Sequence, residues 1–480
     1  MKTTSIFSLL CLSVAAHAEV KFAGVFNHNM VLQQRTEAPI WGTAEPGESV
    51  KINCSWKGGS VQTKADEEGV WRAVVSTPEA GGPYNLSAKG KSEEASLKNV
   101  LVGEVWVCSG QSNMQWKMRG FGLDHFKEAV EKAKYPEIRL CTFPQVLALE
   151  SQDKIETKWV VCNPQNVLSF SAVGYFFGSK LHQELDVPIG LISTNWGGSS
   201  AEAWIKEETL RKDFPAFNAA LDKYPSIEKE NGSVFSKQKK GPKWLNQRSP
   251  SVLYNGMIKP LIPMAMRGVV WYQGESNVKT PEQYRTLFPK LIQDWRADWG
   301  QGDFPFYYVQ IAPFQYRSEK KPVALLREAQ LMTLSESNTG MVVTMDIGDP
   351  TNIHPKNKQP VGERLALIAL AKDYGKSELV YSGPIYKEMK KKKDEIWLSF
   401  EHLGGGLQSR DGEALSHFTI AGKDHKFYPA EARISEGSVV VTSSEVKRPV
   451  AVRYGWGNAD EPNLMNAAGL PAPSFRTDDW

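Results

Sequence analysis

The chain has 480 residues, 57 basic and 54 acidic side chains, 41% hydrophobic residues and 15 tryptophans. That length provides for two or three domains with a real core, and abundant aromatics with low net charge exclude a disordered chain. The two charge signs are interspersed without a basic face, which excludes nucleic acid as a partner.

The chain opens with Lys2, an apolar run from Ile6 to Ala16, and Ala16-His17-Ala18 as a small-x-small site. This predicts a signal peptide over residues 1–18, too short to be a membrane anchor. Leu9-Leu10 before Cys11 lack the small residues of a lipoprotein site. The expected product is an exported protein, secreted or periplasmic. Its cysteines are Cys54, Cys108, Cys141 and Cys162. They permit three disulfide connectivities or four free thiols.

Residues 19–101 read as short alternating strands, such as 51–56 and 70–75, punctuated by Gly and Pro, so an N-terminal β-sandwich is predicted. From residue 102 the pattern becomes strand–helix alternation. Apolar strands are expected at 105–108, 188–193, 268–272, 306–311 and 341–345, and helices at 172–184, 282–299, 323–335 and 361–374. The fold class is therefore α/β, with a parallel sheet covered by helices on both faces over 102–376. A polar surface insertion interrupts it at about 226–249 and is expected to be a loop. Residues 377–480 return to β alternation and form a C-terminal β-rich module, with Lys390 to Lys393 as a solvated loop.

Parallel sheets bind ligands beyond the carboxyl ends of their strands. Four strand tails carry suitable chemistry: Ser109-Gly110-Gln111-Ser112-Asn113, Asn195-Trp196-Gly197-Gly198-Ser199, Gln273-Gly274-Glu275-Ser276-Asn277, and Asp346-Ile347-Gly348-Asp349 leading to His354. Dinucleotide, P-loop, zinc and G-x-S-x-G signatures are all missing from the chain. A serine hydrolase with another elbow remains, beside a glycosidase pairing Glu275 with Asp346 or Asp349. A silent carbohydrate-binding protein is a third reading. Ser112 and Ser276 compete as nucleophile, each in a G-x-S-N sequence, and residue chemistry alone does not separate them. Among the histidines only His354 follows a sheet strand, which makes it the expected base.

These blocks, with Trp271-Tyr272 before the third and Ile353-His354-Pro355 closing the fourth, resemble the sialate O-acetylesterase family of SGNH-type hydrolases. So do Met30-Val31-Leu32-Gln33-Gln34 near the start and Asn463-Leu464-Met465-Asn466 near the end. The resemblance implies an SGNH-hydrolase-like sheet and removal of O-acetyl groups from a carbohydrate through an acetyl-serine, without metal or cofactor. O-acetylated sialic acid is the expected substrate and acetylated xylan the alternative. Ser112 matches the nucleophile and His354 the general base. The oxyanion hole falls to the N–H groups of Ser112 and of Gly197 or Gly198, with a side-chain amide from Gln273 or Asn277. SGNH enzymes commonly place an aspartate three residues before the histidine, where this chain has Thr351. Glu275, then Asp349, are the candidates to orient His354 instead. Gln111, Asn113, Trp196 and Trp204 are expected to contact the sugar; Arg119 and Arg327 are candidates to meet a sialate carboxylate, and the sequence places neither.

Overall fold

The computed structural model describes residues 19–122, 124–236, 239–316 and 322–480. The predicted signal peptide lies outside them. Two antiparallel sheets form the N-terminal module, one built from Lys21–Phe22, Glu37–Thr43 and Val70–Ser76. The other contains Ser49–Cys54, Val61–Lys64 and Gly81–Lys89 and ends on strand β1, Glu94–Gly110.

β1 does not stop at the module boundary. Its first half pairs with Gly81–Lys89, and Leu101 to Gly103 pair with Val31–Gln33. Its second half, from Glu104, is the central strand of the α/β sheet. That sheet contains β2 (Tyr135–Thr142), β3 (Trp159–Cys162), β4 (Ile189–Asn195), β5 (Gly268–Tyr272), β6 (Phe306–Val309) and β7 (Thr339–Val342). The order is β3-β2-β4-β1-β5-β6-β7, parallel except for β3. The chain fills one side of β1 and then crosses to the other, so the switch point lies beyond the end of β1, between β4 and β5. The pair β2–β3 has no counterpart in the expected strand set, because Pro136 and charged residues break its apolar run.

Side chains alternate across β1: Trp106 and Cys108 enter one core, Val105 and Val107 the other. The first core is closed by α2 (Ala172–Leu185) and α5 (Lys358–Asp373), the second by α3 (Pro281–Trp299) and α4 (Ala324–Met332). Helix α3 starts with Pro281 at its first turn and stops at Gly300, whose left-handed φ of +66° lets its N–H reach the Arg296 carbonyl.

The C-terminal module holds two four-stranded antiparallel sheets around their own core. The lysine run is not a loop there. Lys390 to Lys392 end the edge strand Ile385–Lys392, where charge discourages edge-to-edge pairing. The insertion is not a plain loop either. It contains the helix Tyr224–Asn231, and Val234–Phe235 pair with Leu147–Ala148. All four cysteines are buried free thiols, and burial pushes those of Cys54, Cys141 and Cys162 up to about 12. Register keeps Cys141 and Cys162 apart, since Cys141 faces Trp159 and Cys162 faces Tyr135.

Candidate active site

The turn after β1 depends on Gly110, whose φ is +131°. A Cβ there would lie 2.2 Å from the Tyr272 carbonyl oxygen, because Gly110 pairs with both Tyr272 and Asn195. Gln111 then donates its N–H to Tyr272, and the single-turn helix α1 (Ser112–Gln115) begins. Ser112 is half-buried at the switch point, and its N–H has no partner among the described residues. Gly197 packs against it: a Cβ on Gly197 would sit 3.4 Å from Ser112 Cβ. The Gly197 N–H donates to Gln115 Oε1 at 2.6 Å, whereas that of Gly198 has no partner among the described residues.

Asn113, the residue after Ser112, is fully buried and ties the blocks together. Its amide nitrogen donates to Glu275 Oε1 at 2.6 Å and to the Ile353 carbonyl at 3.1 Å. Its oxygen accepts from Lys358 Nζ. The peptide preceding His354 is thereby fastened beside Ser112. The His354 ring packs on Trp116 at 4.5 Å between centroids. Burial and then the Lys358 charge hold the imidazole below 6.5, which favours the neutral, proton-accepting form. Burial raises Glu275, and its Oε2 is buried without a partner among the described residues.

Several residues expected at the substrate are held elsewhere. Both amide hydrogens of Gln273 are used, on the Ser199 carbonyl and Asn277 Oδ1, and its oxygen accepts from Tyr284. Asn277 donates to Glu202 and accepts from the Ala201 N–H. Buried amides must find partners, and here they brace the Ser199-to-Glu202 turn. Asn113 is likewise internal. Trp204 is 0% exposed, donates to Ser199 Oγ and packs edge-on to Trp271 in the core. Arg327 is buried against the carbonyls of Gly455 and Gly457. Asp349 accepts from Thr351 and Asn352, closing its own loop, and Asp346 is doubly paired with Arg364.

Trp196 stays half-buried at the tail of β4, and Arg119 is exposed. Gln111 accepts from the N–H groups of Gly274 and Ser276, and its own NH2 has no partner among the described residues. Lys358, Trp116 and Gln115 were not singled out by the motifs. Nor was Arg248, whose Nε donates to the Gly198 carbonyl at 2.9 Å while Gln247 beside it donates to that of Gly197. Lys358 and Trp116 each lie four residues after a motif residue, and that spacing was the available signal.

A family model described as "Carbohydrate esterase, sialic acid-specific acetylesterase" matches residues 102–371. The chain belongs to this family. Sialate O-acetylesterases of Pongo abelii and Homo sapiens are each 30% identical to it, over 95% of this chain and 92% of theirs. A crystal structure of a carbohydrate acetylesterase from Xanthomonas citri superposes with a TM-score of 0.84 at 37% identity, covering 96% of this chain and all of that one. The protein is thus a carbohydrate O-acetylesterase. A glycosidase and a silent sugar-binding protein are both set aside by these relatives. In this esterase the matched family region starts inside β1 and ends inside α5.

Proposed function

We propose that this esterase removes O-acetyl groups from sialic acid through an acetyl-serine on Ser112, with His354 as general base. The observation that carries the reading is Asn113, which binds the Glu275 strand end and the peptide before His354 from the position next to Ser112. In the reaction His354 takes the Ser112 proton as Oγ bonds to the acetyl carbon. The tetrahedral oxyanion is received by the Ser112 N–H with Gly198, or with Gly197 once Gln115 is displaced. The Gln111 NH2 is the side-chain amide nearest in sequence that is still uncommitted. The carbon–oxygen bond to the sugar breaks, and His354 passes its proton to the sugar oxygen. Water, activated by the same imidazole, then releases acetate.

Sialic acid is favoured over acetylated xylan by the named relatives and by its carboxylate, which needs a cation. Arg248 supplies one: its guanidinium is exposed beside Gly198. The expected experiment compares acetate release from O-acetylated sialic acid and from acetylated xylan. Ser112→Ala should abolish both; Arg248→Met should raise the KM for the sialate about tenfold and leave the nitrophenyl ester rate unchanged. Faster turnover of xylan by the wild type would reverse the substrate assignment, and labelling of Ser276 by a serine-active probe would reverse the nucleophile. We also propose export with removal of residues 1–18, to be checked by N-terminal sequencing of the periplasmic or secreted protein.

A further inference from the structure

Lys358 lies at the first residue of α5, four positions after His354, and is 1% exposed. Lysine is almost never buried this completely without a charged partner in contact. Here the contact is an amide: Nζ donates to Asn113 Oδ1 and stands 5.5 Å from the centre of the Tyr272 ring. On the other side of the same amide, Asn113 Nδ2 donates to Glu275 Oε1. An ammonium and a carboxylate, both buried, are therefore separated by one asparagine, and that asparagine follows the nucleophile. Its remaining hydrogen bond goes to the carbonyl that precedes His354.

We propose that Lys358 is a positioning residue for deacetylation. Acting through Asn113, it holds the Ser112 turn, the Glu275 strand end and the His354 loop in one arrangement, and its positive charge is part of that function. The inference rests on the serine reading above.

An apolar residue of the same length would fill the volume but leave Asn113 Oδ1 and the Glu275 carboxylate without their cation. Charge interactions in a buried site are worth far more than at a surface. The groups facing Lys358 are Glu275 and Tyr272 from β5 and its tail, Asn113 from α1, and His354 from its own loop. Burial raises Glu275, which the ammonium opposes, and burial followed by the same ammonium lowers His354. Burial brings Lys358 itself down to about 7. Tyr272, pushed up by burial and by Glu275, stays neutral.

The test is the pH profile of kcat/KM on 4-nitrophenyl acetate for wild type, Lys358→Met, Lys358→Gln and Lys358→Arg, with Ser112→Ala alongside. The acid limb reports the free enzyme's base. Removing a positive charge beside His354 raises the imidazole pKa, so in the Met and Gln variants the limb should move to higher pH. Their kcat should fall about 100-fold with little change in KM. The Arg variant should keep the wild-type limb. Folded Met and Gln variants with an unmoved limb would overturn the proposal. Failure of both to fold while Arg folds would overturn it too, because the ammonium would then serve the fold and not the site. Activity retained by Ser112→Ala would instead mean that the serine reading is at fault.

Discussion

Gln273 and Gln111 both neighbour a strand end, yet one spends its NH2 inside the protein and the other only its oxygen. The same contrast separates the two carboxylates considered for His354. Asp349 faces the turn it closes, and the Thr351 hydroxyl bound to it holds it below the usual aspartate range. Among the described residues Glu275 keeps one buried oxygen unpaired, a situation that costs about 1–3 kcal/mol unless a donor arrives. We propose the His354 imidazole N–H as that donor during turnover. Glu275→Gln should therefore lower kcat by roughly 10⁴-fold, and Asp349→Asn by less than tenfold, both measured by steady-state acetate release. The reverse order would move the orienting role to Asp349. That the motif blocks meet at one place was legible in the sequence, since Asn113, next to Ser112, binds both Glu275 and the carbonyl before His354. Which amides remain available was not, because that depends on partners distant in sequence, such as the Ser199 carbonyl for Gln273 and Glu202 for Asn277.

Among the elements, strands buried on both faces announced themselves as apolar runs, and β5 matches its expected span of 268–272. β1 was recognised only over 105–108. Its earlier half is exposed on one face, and Lys98 and Asn99 interrupt the apolar pattern. The 226–249 insertion has helix-forming residues but little apolar periodicity, so its helix went unseen and its contact with Gly197 and Gly198 was out of reach. The tightest local requirement is Gly110, clamped between β4 and β5. Gly110→Ala should displace Tyr272 or the Ser112 turn. The expected outcome is loss of labelling by a serine-active probe, together with a lower melting temperature in calorimetry. Retained labelling with an unchanged melting temperature would show that the turn has room to spare.

At the scale of the whole molecule, Glu104 joins segments from three regions of the chain. It is fully buried, pairs doubly with Arg267, and accepts from Gln33, Gln34 and Tyr374. Burial alone would raise its carboxyl, but the Arg267 hydrogen bonds and charge outweigh that and hold it below 4.5. A lowered carboxylate contributes stability that is complete above the ordinary pKa and is lost as pH falls through the folded value. Glu104→Ala also leaves Arg267 unpaired, but Arg267 is partly exposed to solvent, so the loss falls below the roughly 3–5 kcal/mol of a fully buried pair. Denaturant unfolding at pH 7 should register it, and the gap between wild type and variant should narrow towards pH 3. Glu104 stands where β1 passes from one module to the next. A strand that starts in a sugar-enzyme's accessory module and ends two residues before its proposed nucleophile leaves no place to splice. The N-terminal module cannot be exchanged as a cassette without cutting the ladder that aims Ser112. The segment from 226 to 249 is different: it lies within the connection between β4 and β5 and reaches the Gly197 and Gly198 carbonyls through Gln247 and Arg248, so it can vary without touching that ladder.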